Sequence, residues 1–308
     1  MSFFIKREET NTHNLIKLFG IVKLKYKKKE FVQKQKESDL YYYKKNNIDI
    51  TKVPPAKGLF RDIQLANLKL LKELDYVCKN NGLTYWLDFG TLLGAVRHKG
   101  YIPWDDDIDT GMIRDDYEKL INCFNTTTRN PDIYAQYFRS SIHKTNYYIK
   151  IKHKKCPNLF VDIFPYDFYG KTLNDKEKLK ETKKIKNLRR NFEKKYVPVE
   201  DNEEVRKGLK YLRNLILADS ANYNEDLVWG CDYHHHWGNW FSSNGTIFPL
   251  KEIEFEGIKF PCINNPDKYL KSVFGDYMKY PKKIKLGHIW DTTITAEEVE
   301  NLKTVLKL

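Results

Sequence analysis

Trp86-Leu-Asp-Phe-Gly-Thr-Leu-Leu-Gly-Ala-Val-Arg97, followed by Gly100-Tyr-Ile-Pro-Trp-Asp-Asp-Asp-Ile-Asp109, is the stretch on which the fold turns. Leu83 to Phe89 reads as a strand, Gly90-Thr91 turns the chain, and Leu92, Leu93, Ala95 and Val96 carry a short helix. Ile108 to Ile113 reads as a second strand. At the turn, Gly90 lets the backbone approach a ligand, Thr91 can offer its hydroxyl, and the helix dipole favours negative charge, so phosphate suits this place. The helix closes on Arg97-His98-Lys99-Gly100, whose cations either meet a diphosphate or neutralise the helix C-terminus.

The run Asp105-Asp-Asp-Ile-Asp109 places four acids within five positions, and their repulsion demands a cation or solvent. Strand alternation puts Asp105, Asp107 and Asp109 on one side and points Asp106 away. Two carboxylates at i and i+2 can grip one Mg²⁺ and leave its other positions to phosphate oxygens and water. A solvated polar turn is the alternative for such a run taken alone.

Working outward, Ile63, Leu70, Leu74 and Val77 recur at helical spacing from Phe60 to Asn80, and Asn80-Asn-Gly82 stops that helix. A helix starting near Asp115 and strands at 133–138, 147–152 and 159–164 complete a mixed α and β core. Residues 174–196 form a Lys/Glu-rich helical stretch, 203–218 a better amphipathic helix, and Glu256-Gly257 is the expected turn of a hairpin. The expected class is therefore α+β, a mixed sheet core with an added helical lobe. Its organisation reads as a basic N-terminal appendage over 1–57, a catalytic core over 58–170, and a helical lobe with a C-terminal hairpin and helix over 171–308.

The net charge of +13 raises nucleic-acid binding, but residues 1–60 carry +8, residues 171–196 carry +7, and the rest sums to −2. A neutral centre argues against a nucleic-acid module and suits an anionic surface or polyanionic acceptor at the periphery. Val22, Leu24 and Tyr26 alternate with Lys23, Lys25 and Lys27, as in a basic edge strand, and residues 1–50 could meet anionic lipid head groups. Five scattered cysteines with no Cys-x-x-Cys read as reduced thiols. The absence of a long apolar run predicts a cytoplasmic protein, peripheral on the inner membrane face. Asn125-Thr-Thr127 and Asn244-Gly-Thr246 are read as chance matches to a glycosylation site.

Leu87 to Arg97 with Gly100 to Asp109 resembles the LicD family, which includes bacterial phosphocholine transferases and is related to fukutin-type ribitol-phosphate transferases. The likeness continues through Phe160-Val-Asp-Ile-Phe-Pro-Tyr-Asp167, Phe255-Glu-Gly-Ile-Lys-Phe260, Tyr269-Leu270, Phe274-Gly-Asp-Tyr277 and His288. Phe274 stands where a tyrosine is more usual. The resemblance implies a nucleotidyltransferase-like fold, with phosphates at Gly90 and Thr91 and a metal, Mg²⁺ or Mn²⁺, on Asp107 and Asp109. It places Asp105 as the acid preceding that pair, and Asp162 as a third acid that completes the metal site, takes a proton from the acceptor hydroxyl, or forms a structural ion pair. Arg97 and Lys150, which shares a strand face with Lys152, are candidate phosphate contacts, and Asp88 would order the turn. The implied reaction moves a phosphate-linked alcohol from a CDP-alcohol to a sugar hydroxyl of a surface glycan or glycolipid. Nucleotidyl transfer on the same fold is the rival chemistry. His234-His-His236 lacks a partner at zinc-finger spacing and reads as core or loop histidines.

Overall fold

The computed structural model describes residues 5–9, 13–18, 22–27, 41–141, 143–217, 225–281 and 295–307. His288 and residues 19–21 lie outside them. Strands β1 (Ile5–Glu9), β2 (His13–Leu18) and β3 (Val22–Lys27) pair antiparallel in the order β1-β2-β3, so the alternating basic segment is an edge strand.

Helix α1 (Leu59–Asn81) ends at Gly82, whose φ of 63° lets the chain turn left-handed after the last carbonyls, as Asn-Asn-Gly predicts. It buries Phe60, Ile63, Leu70, Leu74 and Val77. Strand β4 (Tyr85–Leu87) is shorter than its expected 83–89 span because Asp88 caps α2 (Phe89–His98), its carboxylate accepting from the Phe89 N–H. The central elements follow as β5 (Asp109–Ile113), α3 (Arg114–Thr127), β6 (Ile133–Arg139), β7 (Tyr147–His153) and β8 (Cys156–Phe168). The lobe is α4 (Asp175–Tyr196), opened by an Asn174/Glu177 capping box, and α5 (Asn202–Ile216). Short strands β9 (Leu227–Trp229) and β10 (Phe241–Ser242), helix α6 (Asn244–Ile247), hairpin β11 (Lys251–Phe255) and β12 (Ile258–Cys262), and helices α7 (Pro266–Phe274) and α8 (Ala296–Lys307) complete the chain.

The long strand β8 organises the main sheet. One edge pairs parallel with β5, which in turn pairs antiparallel with β4. The other edge pairs antiparallel with β7 and then, further along, with β9. A parallel β5–β8 pair needs a long crossover, which α3 and the β6–β7 hairpin supply. Parallel and antiparallel pairs in one seven-stranded sheet, with helices around it, make the fold α+β with a helical lobe. Trp86 requires a glycine opposite it: a Cβ on Gly111 would lie 2.3 Å from the Trp86 indole nitrogen. One apolar core runs from Ile50 to Val305. Among the described residues no helix is long and apolar enough to cross a membrane.

Candidate active site

The acid run leaves the end of α2 and enters β5, and buried amides of α1 fix its backbone. Gln64 Nε2 donates to the Asp105 carbonyl at 2.7 Å, and Asn67 Nδ2 donates to the Asp106 carbonyl at 2.7 Å. Asn67 Oδ1 accepts from the Phe160 N–H of β8 at 2.9 Å, so one side chain ties the run to the central strand. Arg61 links Gln64 Oε1 (3.0 Å) to the Glu256 carboxylate (3.0 and 2.5 Å), which also accepts from the Tyr101 N–H. Each amide would leave a buried carbonyl unserved if lost, at about 1–3 kcal/mol. Sequence reading missed Gln64, Asn67 and Glu256. The available signal was two amides set inside an apolar helix face, and the Glu-Gly hairpin turn.

The turn before α2 is strained and held. Phe89 has a φ of 38°, a left-handed conformation that costs a bulky residue about 1–3 kcal/mol. Its ring stacks on Trp237 at 4.8 Å and meets Trp229 and Phe164 edge-on at 5.2 and 5.5 Å, contacts that offset the strain. Asp88 is wholly buried. Its carboxylate accepts from the Phe89 N–H, from the Tyr166 hydroxyl at 2.6 Å and from the Tyr269 hydroxyl at 2.5 Å, while the Trp229 indole donates to Tyr166. Burial pushes the Asp88 carboxyl up to about 6, against the pull of those donors. Asp88 orders the turn, as the sequence suggests.

That turn presents Gly90 directly to the acids: a Cβ there would lie 3.0 Å from Asp105 Oδ2 and 3.8 Å from Asp109 Oδ2. Thr91 is buried, and its hydroxyl accepts from the Asp109 N–H at 2.8 Å. The backbone oxygen of Asp109 accepts from the Asp88 N–H, so turn and acid run are stitched on both sides of one residue. Strand alternation does not govern the whole run, however. Residues 105–108 are not strand, and carboxylate oxygens of Asp105, Asp106 and Asp107 come within 4.8 Å of one another. Asp106 therefore joins the cluster instead of pointing away; β5 begins only at Asp109, too late to impose a two-residue period.

An all-oxygen set of this kind suits a hard divalent cation such as Mg²⁺ or Mn²⁺. The electrostatics agree with that fit. Burial, and then the charge of Asp107, hold the Asp105 carboxyl well above the usual carboxylate range, a repulsion that a bound cation would relieve.

Asp109, Asp162 and Lys150 stand in register on β5, β8 and β7. Asp162 and Lys150 are both buried, with Lys150 Nζ 2.8 Å from Asp162 Oδ1. The structure thus brings Gly90, Asp105 and Asp109 together, with Thr91 bonded to Asp109 and Asp162 beside it, whereas the carboxylates clustered within 4.8 Å are those of Asp105, Asp106 and Asp107 and do not include that of Asp109. The two expected phosphate contacts both have protein partners. Lys150 meets Asp162, and buried Arg97 donates from Nη1 to the Tyr277 carbonyl at 2.6 Å and from Nε to His98 Nε2 at 2.9 Å. Burial lowers the Arg97 guanidinium to about 10. The histidine triplet is spread out: His234 meets Glu193 at 3.0 Å, His235 is buried against Trp229 at 4.6 Å, and His236 is exposed beside Trp237.

Comparison with known proteins adds to this geometry. A family model described as LicD/FKTN/FKRP, nucleotidyltransferase domain, matches residues 82–202. Lipopolysaccharide cholinephosphotransferase LicD of Haemophilus influenzae is 30% identical over 254 residues, covering 73% of this chain and 93% of that protein. A protein of Rickettsia typhi is 34% identical over 104 residues, 32% of this chain and 28% of its own length. Ribitol 5-phosphate transferase FKRP of Homo sapiens is 54% identical over 35 residues, 11% of this chain and 7% of its own. With fold, acid cluster and similarity over 73% of this chain in place, the chain belongs to the LicD family and is a phosphotransferase of that type.

Proposed function

We propose that the protein transfers a phosphate-linked alcohol, phosphocholine foremost, from a CDP-alcohol to a sugar hydroxyl of a lipopolysaccharide or related surface glycan. The observation that carries this reading is the convergence of the Asp105 and Asp109 carboxylates on Gly90 at the α2 turn. There, a diphosphate can lie between the helix N-terminus and a cation held by the acids. Similarity to the Haemophilus influenzae cholinephosphotransferase supports choline as the alcohol and lipopolysaccharide as the acceptor.

The acceptor oxygen attacks the phosphorus that bears the alcohol, and the bond to CMP breaks. Gly90 and Thr91 position the donor phosphates. Asp162, beside Asp109, takes the hydroxyl proton. Asp105, Asp106, Asp107 and Asp109 are the residues to hold Mg²⁺ or Mn²⁺, which would neutralise charge on the phosphates. Residues 1–50 would contact anionic lipid and keep the enzyme at the cytoplasmic membrane face; deleting them should weaken vesicle binding and spare transfer to a soluble acceptor.

The test is turnover with CDP-choline, CDP-ribitol and CDP-glycerol, with and without Mg²⁺, followed by product analysis. Free CMP and a phosphocholine-bearing glycan are expected. A product that retains the nucleotide would establish nucleotidyl transfer instead.

A further inference from the structure

Helix α4 treats its cations in two ways. On its inner side Lys178 meets Asp226 at 3.1 Å, and Arg189 is fully buried with Nη2 donating to the Thr145 carbonyl and Asn146 Oδ1, both at 2.8 Å. On its outer side Lys176, Lys180, Lys183, Arg190 and Lys194 are exposed, and none of them pairs with a carboxylate among the described residues. Their spacing follows the helical repeat, so they form one stripe about 27 Å long at 1.5 Å per residue. The helix's own acids do not neutralise it. Asp175 and Glu177 sit in the first turn, Glu181 is taken by Lys184 and Tyr169, and Glu193 meets His234. Exposed Leu179 lies within the stripe, between Lys176 and Lys180, and exposed Val197 follows its C-terminal end, at 49% and 46% exposure.

The stripe also has a place relative to the chemistry. Lys186 donates to the Trp237 carbonyl at 2.5 Å, and Thr182 Oγ1 accepts from the Trp240 N–H at 3.1 Å. Trp237 stacks on Phe89, next to Gly90. Helix α4 thus backs the aromatic wall of the site with its inner side and turns a row of unmatched cations outward.

We propose that the outer face of α4 is a docking surface for an anionic lipid bilayer. A line of unpaired cations matches a plane of head-group phosphates, and the exposed aliphatic side chains suit the boundary between head groups and acyl chains. A soluble polyanion would use the cations and leave Leu179 and Val197 without purpose. The surface would hold the enzyme at the membrane where a lipid-linked acceptor resides, and it does not depend on which alcohol the donor carries.

The test uses the full chain with Lys180→Glu, Lys183→Glu and Arg190→Glu combined, beside a charge-matched control carrying Lys251→Glu, Lys259→Glu and Lys268→Glu. Both are assayed for binding to vesicles of equal parts phosphatidylcholine and phosphatidylglycerol, and to pure phosphatidylcholine. The stripe variant should lose anionic-vesicle binding by about a hundredfold, as expected for several surface charges, and the control by far less. Melting and transfer to a soluble oligosaccharide acceptor should stay as in the wild type. Equal losses in the two variants would reduce the effect to net charge and overturn the proposal. So would unchanged vesicle binding in the stripe variant.

Discussion

Asp162 and Asp167 lie on the same strand, β8, and both are buried, yet their charges are met by different chemistry. Asp167 accepts two parallel bonds from Arg114, at 2.8 and 2.9 Å, and the same guanidinium reaches Asp232 at 2.5 Å. The planar fork locks both acids at once. Burial works against charge on Asp232, but Arg114 outweighs it and holds that carboxyl below its usual range. Asp162 instead meets the ammonium of Lys150, a compact charge on a flexible stem that sits 3.4 Å from the centre of the Phe160 ring. Its cross-strand neighbour on the other side is Asp109. A forked, shared guanidinium suits a permanent joint, whereas a lysine beside a second acid suits a group that must change partners. Burial alone does not separate the two acids; the kind of partner does.

If Asp167 is a joint, breaking it should show in stability. Asp167→Asn strands part of the Arg114 charge in the interior, and a loss of about 3–5 kcal/mol is expected in chemical denaturation. Any protein that folds should keep most of its turnover per folded molecule. The acid run should behave in the opposite way: Asp107→Asn and Asp109→Asn are each expected to lower turnover about a hundredfold, near 3 kcal/mol, with melting without metal unchanged or raised. Asp106→Asn should also lose activity, because its carboxylate belongs to the cluster. An Asp106 variant with wild-type turnover would favour Asp107 and Asp109 as the metal pair.

The strand–turn–helix–strand order around Gly90 was legible because a glycine and apolar periodicity are local signals, although the cap at Asp88 starts the helix at Phe89, before the Gly90-Thr91 turn that the sequence suggests. The position of Asp106 was not. It depends on where β5 begins, and that is set by Gln64 and Asn67 gripping carbonyls from a helix some forty residues upstream. Arg97 and Lys150 show the same limit. A cation near a phosphate motif reads as a phosphate contact, while the carbonyl of Tyr277 and the carboxylate of Asp162 that engage them are brought in by tertiary packing. Asp162 and Asp167 share one motif in sequence, and nothing local separates them.

A double substitution tests whether Asp162 differs from Asp167 in function as well as in partner. Asp162→Asn should lower both stability and turnover, the latter by about a hundredfold, the lower end of the range for a lost proton acceptor. Adding Lys150→Met removes the stranded ammonium and should restore stability. Turnover should stay low if Asp162 acts in the reaction. Recovery of turnover together with stability would make Asp162 a joint like Asp167.

Arg97 extends the contrast to a buried cation whose hydrogen bonds go to a carbonyl and an imidazole, and it gives the smallest expected effect. Its Nε donates to His98 Nε2, which can accept only while that nitrogen is unprotonated. Burial, and then the Arg97 charge, lower the His98 imidazole from the ordinary 6.5 to about 4. The unfolded chain therefore takes up a proton between about pH 6.5 and 4 that the folded chain refuses, so this contribution to stability is complete above pH 6.5 and is lost as pH falls through that window. Because His98 is only half-buried, the loss should be on the order of 1 kcal/mol, or about 2 °C in melting temperature. His98→Gln keeps an acceptor for Arg97 and cannot titrate. Its melting curve should flatten across that window relative to the wild type, and an identical slope in the two proteins would mean that Arg97 is not held by a neutral imidazole.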